Sequence, residues 1–321
     1  MNLTFRQLRV FIEVVQRGSM IRAASALHLT PPAVSMQIKE IEAQVGLPLF
    51  DRNKRQISLS KAGEDFVVHA RRLLADLKEA EDAMARFKGL DRGKVTIGIV
   101  SAAARFVPRL LALFHEDYPG IDVRLRVAHT RSRLIVLMSD AEVDLMVMSR
   151  PPRELAVRAE AFATNPLVFV CPPLHPLRDA PLSAGSLDEH ALIVREHGSN
   201  TRAAMDAFFA EHRGAPKITM EIPSTEATKQ AVMAGMGLGF VAMQAISLEL
   251  RDGLIGVLDV DNTPVMDTWT VVHLSSRVLS PAAEAFRCFL IDQGKKDLDA
   301  HNSMLLSLAF KTRTGARRKV P

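Results

Sequence analysis

Apolar and polar positions alternate through the first sixty residues in three short helical runs. Leu8, Phe11, Ile12 and Val15 recur at helical spacing and predict an amphipathic helix over residues 4–17. Gly18 ends it, and Ser19 caps a second helix near 20–27 that carries Ala23, Ala24 and Leu27 on one face. Thr30 caps a third helix. Pro31 sits at its first position, where a missing N–H costs nothing, and Gly46 and Pro48 stop it after Val45. Val34, Ile38, Ile41 and Val45 share the inner face of this helix. Pro32, Ser35, Met36 and Lys39 lie opposite, with Gln37 on the flank.

Helix, short turn, helix is an arrangement that lays its second helix in a DNA major groove. Thr30, Pro32, Ser35, Met36, Gln37 and Lys39 are therefore candidate DNA contacts. Ser35 can donate or accept, Met36 can meet a thymine methyl, and Lys39 can reach a guanine or a phosphate. The plainer reading is a solvated face on a small bundle. Residues 49–59 weigh against it, because they spell two short strands around a turn crowded with Arg52, Lys54 and Arg55. That is a wing, placed to touch phosphates or the minor groove.

Phe66, Ala70, Leu73, Leu77, Ala80, Met84 and Phe87 then alternate at spacings of four and three, a heptad seam. Ser60 can cap the helix, which would run from residue 62 to 88 and span about 40 Å. A dimerising coiled coil is expected, and packing on the C-terminal body is the alternative. Gly89 and Gly93 flank a hinge.

The rest of the chain changes period. Strands near 95–100, 122–127 and 143–148 alternate with helices near 105–117 and 131–139, which predicts a parallel sheet. Further strands are expected near 167–171, 192–195, 218–222, 238–242, 254–258 and 269–273. Helices are expected near 201–212, 226–234 and 280–292. Ligands of such sheets sit where strands end and helices begin. Ser101, Thr130, Arg131, Ser149 and Arg150 follow the first three strands. Arg195, Ser199, Asn200, Thr201 and Arg202 lead into a later helix, whose N-terminus favours an anion. Each arginine taken singly reads better as a surface or interlobe ion pair. Convergence on one cleft favours binding.

Charge sharpens this division. The net charge of +5 is distributed as +4 over residues 1–60, zero over 61–92, −4 over 93–300 and +5 over 301–321. Basic ends on a mildly acidic body suggest an anionic partner for at least one end. At 48% hydrophobic and 24% charged, the chain can bury real cores, which excludes wholesale disorder. Cys171 and Cys288 are too few for a disulfide scaffold, fit a reducing cytoplasm, and read as core residues. Arg6 and Arg9 interrupt any apolar leader. The charge-free stretch 231–248 holds Gly235, Gly237 and Gly239, which break it into helix, turn and strand, so no membrane span is expected. Those glycines follow a helix and precede a strand, the reverse of a dinucleotide loop. Ten histidines show no ligand spacing and no nucleophile elbow occurs, so no metal, cofactor or catalytic centre is expected. A short helix at 304–310 precedes Lys311, Arg313, Arg317, Arg318 and Lys319, read either as a solvated tail or as auxiliary DNA attachment.

These motifs resemble the LysR-type transcriptional regulators. The carrying stretches are Phe5-Arg6-Gln7-Leu8-Arg9-Val10-Phe11, Ala23-Ala24-Ser25-Ala26-Leu27-His28-Leu29-Thr30, Pro32-Ala33-Val34-Ser35-Met36-Gln37-Ile38, Leu47-Pro48-Leu49-Phe50 and Leu59-Ser60-Lys61-Ala62-Gly63. Within that family the chain is similar to regulators of Calvin-cycle (RuBisCO) operons, through Arg150-Pro151-Pro152, Thr201-Arg202-Ala203-Ala204-Met205 and Lys229-Gln230-Ala231-Val232-Met233-Ala234-Gly235. The resemblance implies an α+β multidomain chain. A winged helix-turn-helix (1–60) and a linker helix with hinge (61–92) precede a periplasmic-binding-protein-like α/β body (93–300), with a basic tail at 301–321. Lobe I would hold about 93–165 and 268–296, and lobe II about 166–267. It also implies a cytoplasmic activator, a homodimer or homotetramer on dyad-symmetric double-stranded DNA, with RNA polymerase as a further partner. Its effector would be a small anionic metabolite such as a sugar bisphosphate, phosphoenolpyruvate or NADPH. The subgroup often carries hydroxyls and a lysine where this chain has Ala102-Ala103-Ala104-Arg105-Phe106. A regulator of another carbon or aromatic pathway is the alternative within the class. A solute-binding protein or enzyme on the same lobes is the alternative outside it, and neither needs residues 1–60.

Overall fold

The computed structural model describes residues 1–51, 57–85, 93–128 and 130–310. Its contacts divide the chain into two compact units, one ending at Met84 and the other beginning at Ala85.

In the first unit, α1 (Phe5–Arg17) opens with a capping box. The Gln7 backbone N–H donates to Thr4 Oγ1 at 3.2 Å, and the Thr4 N–H donates to Gln7 Oε1 at 2.9 Å. Ser19 and Thr30 cap α2 (Met20–Leu27) and α3 (Pro31–Val45). Phe11, Val14, Val34 and Ile41 are fully buried where the three helices meet. Strands β1 (Phe50–Asp51) and β2 (Ser58–Leu59) pair antiparallel, with Phe50 opposite Leu59. The basic turn with Arg52, Lys54 and Arg55 lies outside the described residues.

Helix α4 (Lys61–Ala85) begins hard against this core. Ser60 Oγ accepts from the Gly63 N–H at 3.0 Å and donates to the Pro48 carbonyl at 2.6 Å. A Cβ on Gly63 would fall 2.0 Å from the Leu49 carbonyl oxygen, so only glycine allows this approach. The heptad seam is therefore not left wholly bare, as its spacing alone suggested. Phe66 meets Phe11 edge-on at 5.0 Å and Ala70 is buried, whereas Leu73 and Met84 further along are exposed. Phe87 lies outside the described residues.

The second unit opens with β3 (Gly93–Val100), α5 (Val107–Asp117), β4 (Ile121–Ala128), α6 (Arg131–Ser139) and β5 (Leu145–Met148). β3 pairs parallel with both β4 and β5, the sheet the alternation predicted. Next come β6 (Val157–Cys171), β7 (Pro181–Leu182), β8 (Ala191–Arg195), α7 (Asn200–Glu211), β9 (Lys217–Ile222), α8 (Thr225–Met233) and β10 (Leu238–Ala242). The chain closes with α9 (Ser247–Arg251), β11 (Gly256–Val257), β12 (Asp259–Val260), β13 (Val265–Leu274), α10 (Pro281–Phe289) and, after a π-helical turn, α11 (Lys295–Phe310). Gly235, at φ +80°, and Gly237 lie in the turn between α8 and β10, and Gly239 lies in β10 itself. No described helix is long and apolar enough to cross a membrane.

Strands run β4-β3-β5-β13-β6-β10-β8-β9. Two of them are much longer than the hydrophobic runs suggested. β6 and β13 pair antiparallel from Val157↔Leu274 to Leu167↔Val265 and pass through both lobes. On lobe I, Ile97, Phe114, Trp269 and Phe286 share one core; on lobe II, Phe169, Phe208 and Phe240 share another. The strand expected at 254–258 is instead the two short strands β11 and β12, which pair with β6 and β7 respectively.

Helix α11 corrects two further expectations. It is sixteen residues long, not a short helix at 304–310, and the boundary placed at 300 falls inside it. Leu298 enters the lobe I core and Leu305 a lobe II core, which is why the helix continues. Between them Asn302, buried, donates to the Thr164 carbonyl at 2.9 Å and accepts from Gln244 at 2.8 Å. Cys288 is exposed, because Ala282, Ala283, Phe286 and Phe289 take the inner face of α10; Cys171 is buried. Residues 311–321, with the basic run of the tail, lie outside the described residues.

Gly63→Ala is expected to destabilise the first unit by about 1–3 kcal/mol, the usual cost of forcing atoms into a packed contact. Urea unfolding followed by helical circular dichroism measures it. An unchanged midpoint would mean that α4 is free to shift away from Leu49.

Candidate functional site

The DNA-facing candidates sit on α3 as the wheel placed them. Val34, Ile38 and Ile41 are buried, Pro32, Met36 and Lys39 are exposed, and Ser35 and Gln37 are half-buried. Thr30 spends its hydroxyl on the cap, accepting from the Ala33 N–H at 3.4 Å, so it positions the helix. Gln37 Oε1 is buried without a hydrogen-bond partner among the described residues. Gln7 of α1 donates to Glu40 at 3.1 Å and ties the outer side of α3 to its neighbour.

In the second unit, seven of the ten cleft candidates line one cavity of about 40 Å³. Ser101 follows β3, Arg131 begins α6, Ser149 follows β5, Arg195 ends β8, and Ser199, Asn200 and Thr201 start α7. Ser199 makes no side-chain cap bond, so its hydroxyl is not committed to the helix. Asn200 Nδ2 donates to Ser149 Oγ at 3.0 Å, a direct bond between the lobes.

Both cleft arginines already hold carboxylates. Arg195, 5% exposed, grips Glu196 through Nε at 2.9 Å and Nη2 at 3.0 Å, and donates to Thr225 Oγ1 at 2.6 Å. Arg131 meets Glu154 at 2.8 Å, and this hydrogen bond holds the Glu154 carboxyl well below the usual carboxylate range.

Three candidates lie elsewhere. Thr130 caps α6 through the Arg133 N–H at 3.2 Å, and Arg150 is exposed and off the cavity. Arg202 turns beneath α7, bonded to Asp206 at 2.8 Å, Glu221 at 3.2 Å and the Arg195 carbonyl at 3.1 Å. Asp206 lies one helical turn on, so the arginine is satisfied locally and does not reach the cleft.

The sequence reading missed two cavity residues of the crossing strands. Asn165 on β6 is 3% exposed and Trp269 on β13 is 1% exposed. Neither Asn165 Oδ1 nor Trp269 Nε1 has a hydrogen-bond partner among the described residues. A buried orphan polar atom costs about 1–3 kcal/mol, so both point to a polar ligand. They sit mid-strand, where a strand-end rule does not look. An asparagine inside a strand and the chain's single tryptophan were the available signals.

A second bridge flanks the cleft. Arg105, in the 3₁₀ turn after β3, forms an ion pair with Glu226 of α8. Glu226 also lies 2.9 Å from Lys229, which is fully buried and bonded to Glu249. Burial lowers the Lys229 ammonium from its ordinary range, while Glu249 acts the other way.

Two family models match the chain: the bacterial regulatory helix-turn-helix protein, lysR family, over residues 5–64, and the LysR substrate binding domain over residues 88–295. The chain belongs to the LysR family of transcriptional regulators. It is 43% identical over 291 residues to the HTH-type transcriptional regulator CfxR of Cupriavidus necator, covering 90% of this chain and 92% of that one. It is 40% identical over 297 residues to the RuBisCO operon transcriptional regulator of Allochromatium vinosum, covering 92% and 98%. The solved regulatory domain of CcmR from Synechocystis PCC6803, in complex with 2-PG, is 32% identical. It superposes with a TM-score of 0.59, covering 62% of this chain and 96% of that one.

Glu249→Ala leaves Lys229 with only the half-exposed Glu226 and should cost the second unit about 3 kcal/mol. Glu226→Gln should cost less than about 1 kcal/mol. Urea unfolding followed by Trp269 fluorescence separates the two, and equal effects would remove Glu249 from this role.

Proposed function

We propose that this LysR-type regulator controls a carbon-fixation operon in response to a small organic anion held in the cleft. The observation that carries the cleft assignment is the convergence of Arg131, Arg195 and the N-terminus of α7 on a cavity that holds two orphaned polar atoms. The guanidiniums and helix N–H groups suit a carboxylate or phosphate, and Trp269 Nε1 supplies a further donor. The 2-PG in the related CcmR regulatory domain and the RuBisCO-operon name of the Allochromatium relative support the same class of signal.

A cavity of about 40 Å³ holds only a few atoms, so an effector enters after the lobes part. It then competes with the Ser149–Asn200 bond for the closed state and shifts the balance between lobe positions. Such a shift alters DNA affinity only if the closed and open forms differ in it.

On the DNA side, Ser35, Met36 and Lys39 read base edges, Pro32 and Gln37 pack beside them, and Arg52, Lys54 and Arg55 reach the backbone. The exposed seam positions Leu73 and Met84 support a homo-oligomer paired through α4. Two recognition helices then meet successive major grooves of a dyad-symmetric operator, and RNA polymerase is the partner of an activator. The protein acts in the cytoplasm and carries out no catalytic step.

Two measurements test this. Ser35→Ala with Lys39→Ala should weaken operator binding at least about tenfold, since a base contact contributes about 1–3 kcal/mol. Unchanged affinity would overturn the groove assignment. Trp269 fluorescence and thermal shift should respond to 2-PG, phosphoenolpyruvate, a sugar bisphosphate or NADPH. A response to aromatic carboxylates alone would move the regulator to aromatic catabolism.

A further inference from the structure

A second hollow lies on lobe I, away from the cleft. It measures about 850 Å³, within the size range of small-molecule sites, and shares no lining residue with the cleft cavity. One wall is the far end of the crossing strands, where Arg158 of β6 stands opposite His273 of β13. Arg158 is seven residues from Asn165 along the same strand, so the two cavities are about 23 Å apart. The other wall is the loop after β13, with Arg277, Val278 and Leu279, and the first turns of α10.

The charges around this hollow are unevenly committed. Arg287 of α10 pairs with Glu284 at 2.6 Å and also binds Glu160, so one guanidinium occupies both carboxylates of the lining. Glu284 and Glu160 in turn hold the Arg287 guanidinium protonated. Arg158, exposed on the wall, makes no ion pair among the described residues, and Arg277 stands across from it, half-buried. Three arginines against two glutamates leave the lining net positive. Beside these cations lies an apolar lip, on which Val278 is 57% exposed. Positive charge next to uncovered apolar surface fits a ligand with an anionic head and an apolar body.

We propose that this hollow is a second ligand site, which takes a small organic anion carrying an apolar group. It acts independently of the cleft. Its occupant rests on Pro281 of α10, next to Ala282. Gly93, the first residue of β3, packs so closely on Ala282 that a Cβ there would lie 2.9 Å from the alanine methyl. The site thus borders the start of β3.

Phenyl phosphate is the probe, titrated calorimetrically into the full-length protein, with inorganic phosphate as the comparison that lacks an apolar group. One class of phenyl phosphate site should weaken about tenfold in Arg158→Ala and again in Arg277→Ala, the scale of a lost charge-assisted hydrogen bond. Arg158→Lys should restore part of it. Ser149→Ala should leave that class untouched, and inorganic phosphate should bind it at least about tenfold more weakly. Arg158 is exposed and Arg277 half-buried, and thermal melts of the variants check that they fold. Phenyl phosphate binding that is absent, or indifferent to both arginine substitutions, would overturn the proposal. Failure of the cleft assignment would show separately, as indifference of every bound anion to Ser149→Ala.

Discussion

Strands β6 and β13 are common property of the two lobes. Ten residues of β13 are paired with β6, and each lobe builds its remaining strands outward from that ladder. Neither lobe has a flexible loop as its joint. Movement of one against the other has to be taken up as twist in two hydrogen-bonded strands. The ladder is irregular at one place, between Trp269 and Thr270, where the register shifts. Such an irregularity bends and twists a strand locally. It falls beside the cleft, and α11 crosses the same region with Asn302 and Asp299 both bonded to Thr164.

The cleft itself is an electrostatic compromise. Its guanidiniums are not waiting empty; each holds a neighbouring glutamate. The anion proposed for this cleft would therefore exchange partners and gain less than the bare charges suggest. Its distinctive gain would come from the orphaned Asn165 and Trp269 atoms, which no group among the described residues satisfies. A polar ligand able to reach them is favoured over an apolar one of the same size.

The first unit was largely legible in the sequence, because its structure is local. Thr4, Ser19 and Thr30 cap helices a few residues away, and the inner face of α3 follows from a single turn-by-turn period. The lobed body was legible where strands are apolar runs, as in β3, β5 and β10. It was not legible in the first half of β6, whose mostly exposed residues give no hydrophobic signal. Arg202 and Cys288 were misplaced for a related reason. Their surroundings depend on which side of a helix the sheet covers, and that is decided by residues far along the chain. The LysR family expected from the motifs is the family found.

The contact of Gly63 with the Leu49 carbonyl joins α4 to the recognition unit without slack. The start of the helix cannot swivel on its own, so angular phase is conserved along it: each residue advances about 1.5 Å and turns about 100°. Wherever α4 meets a partner copy, the heading of α3 is already set by the number of residues between. One inserted residue beyond Leu74 would rotate the reading head by more than a quarter turn while leaving every contact in the head intact. On the proposed pairing of two copies through α4, the length of that helix, counted in single residues, would act as a ruler for the spacing and facing of the two halves of an operator.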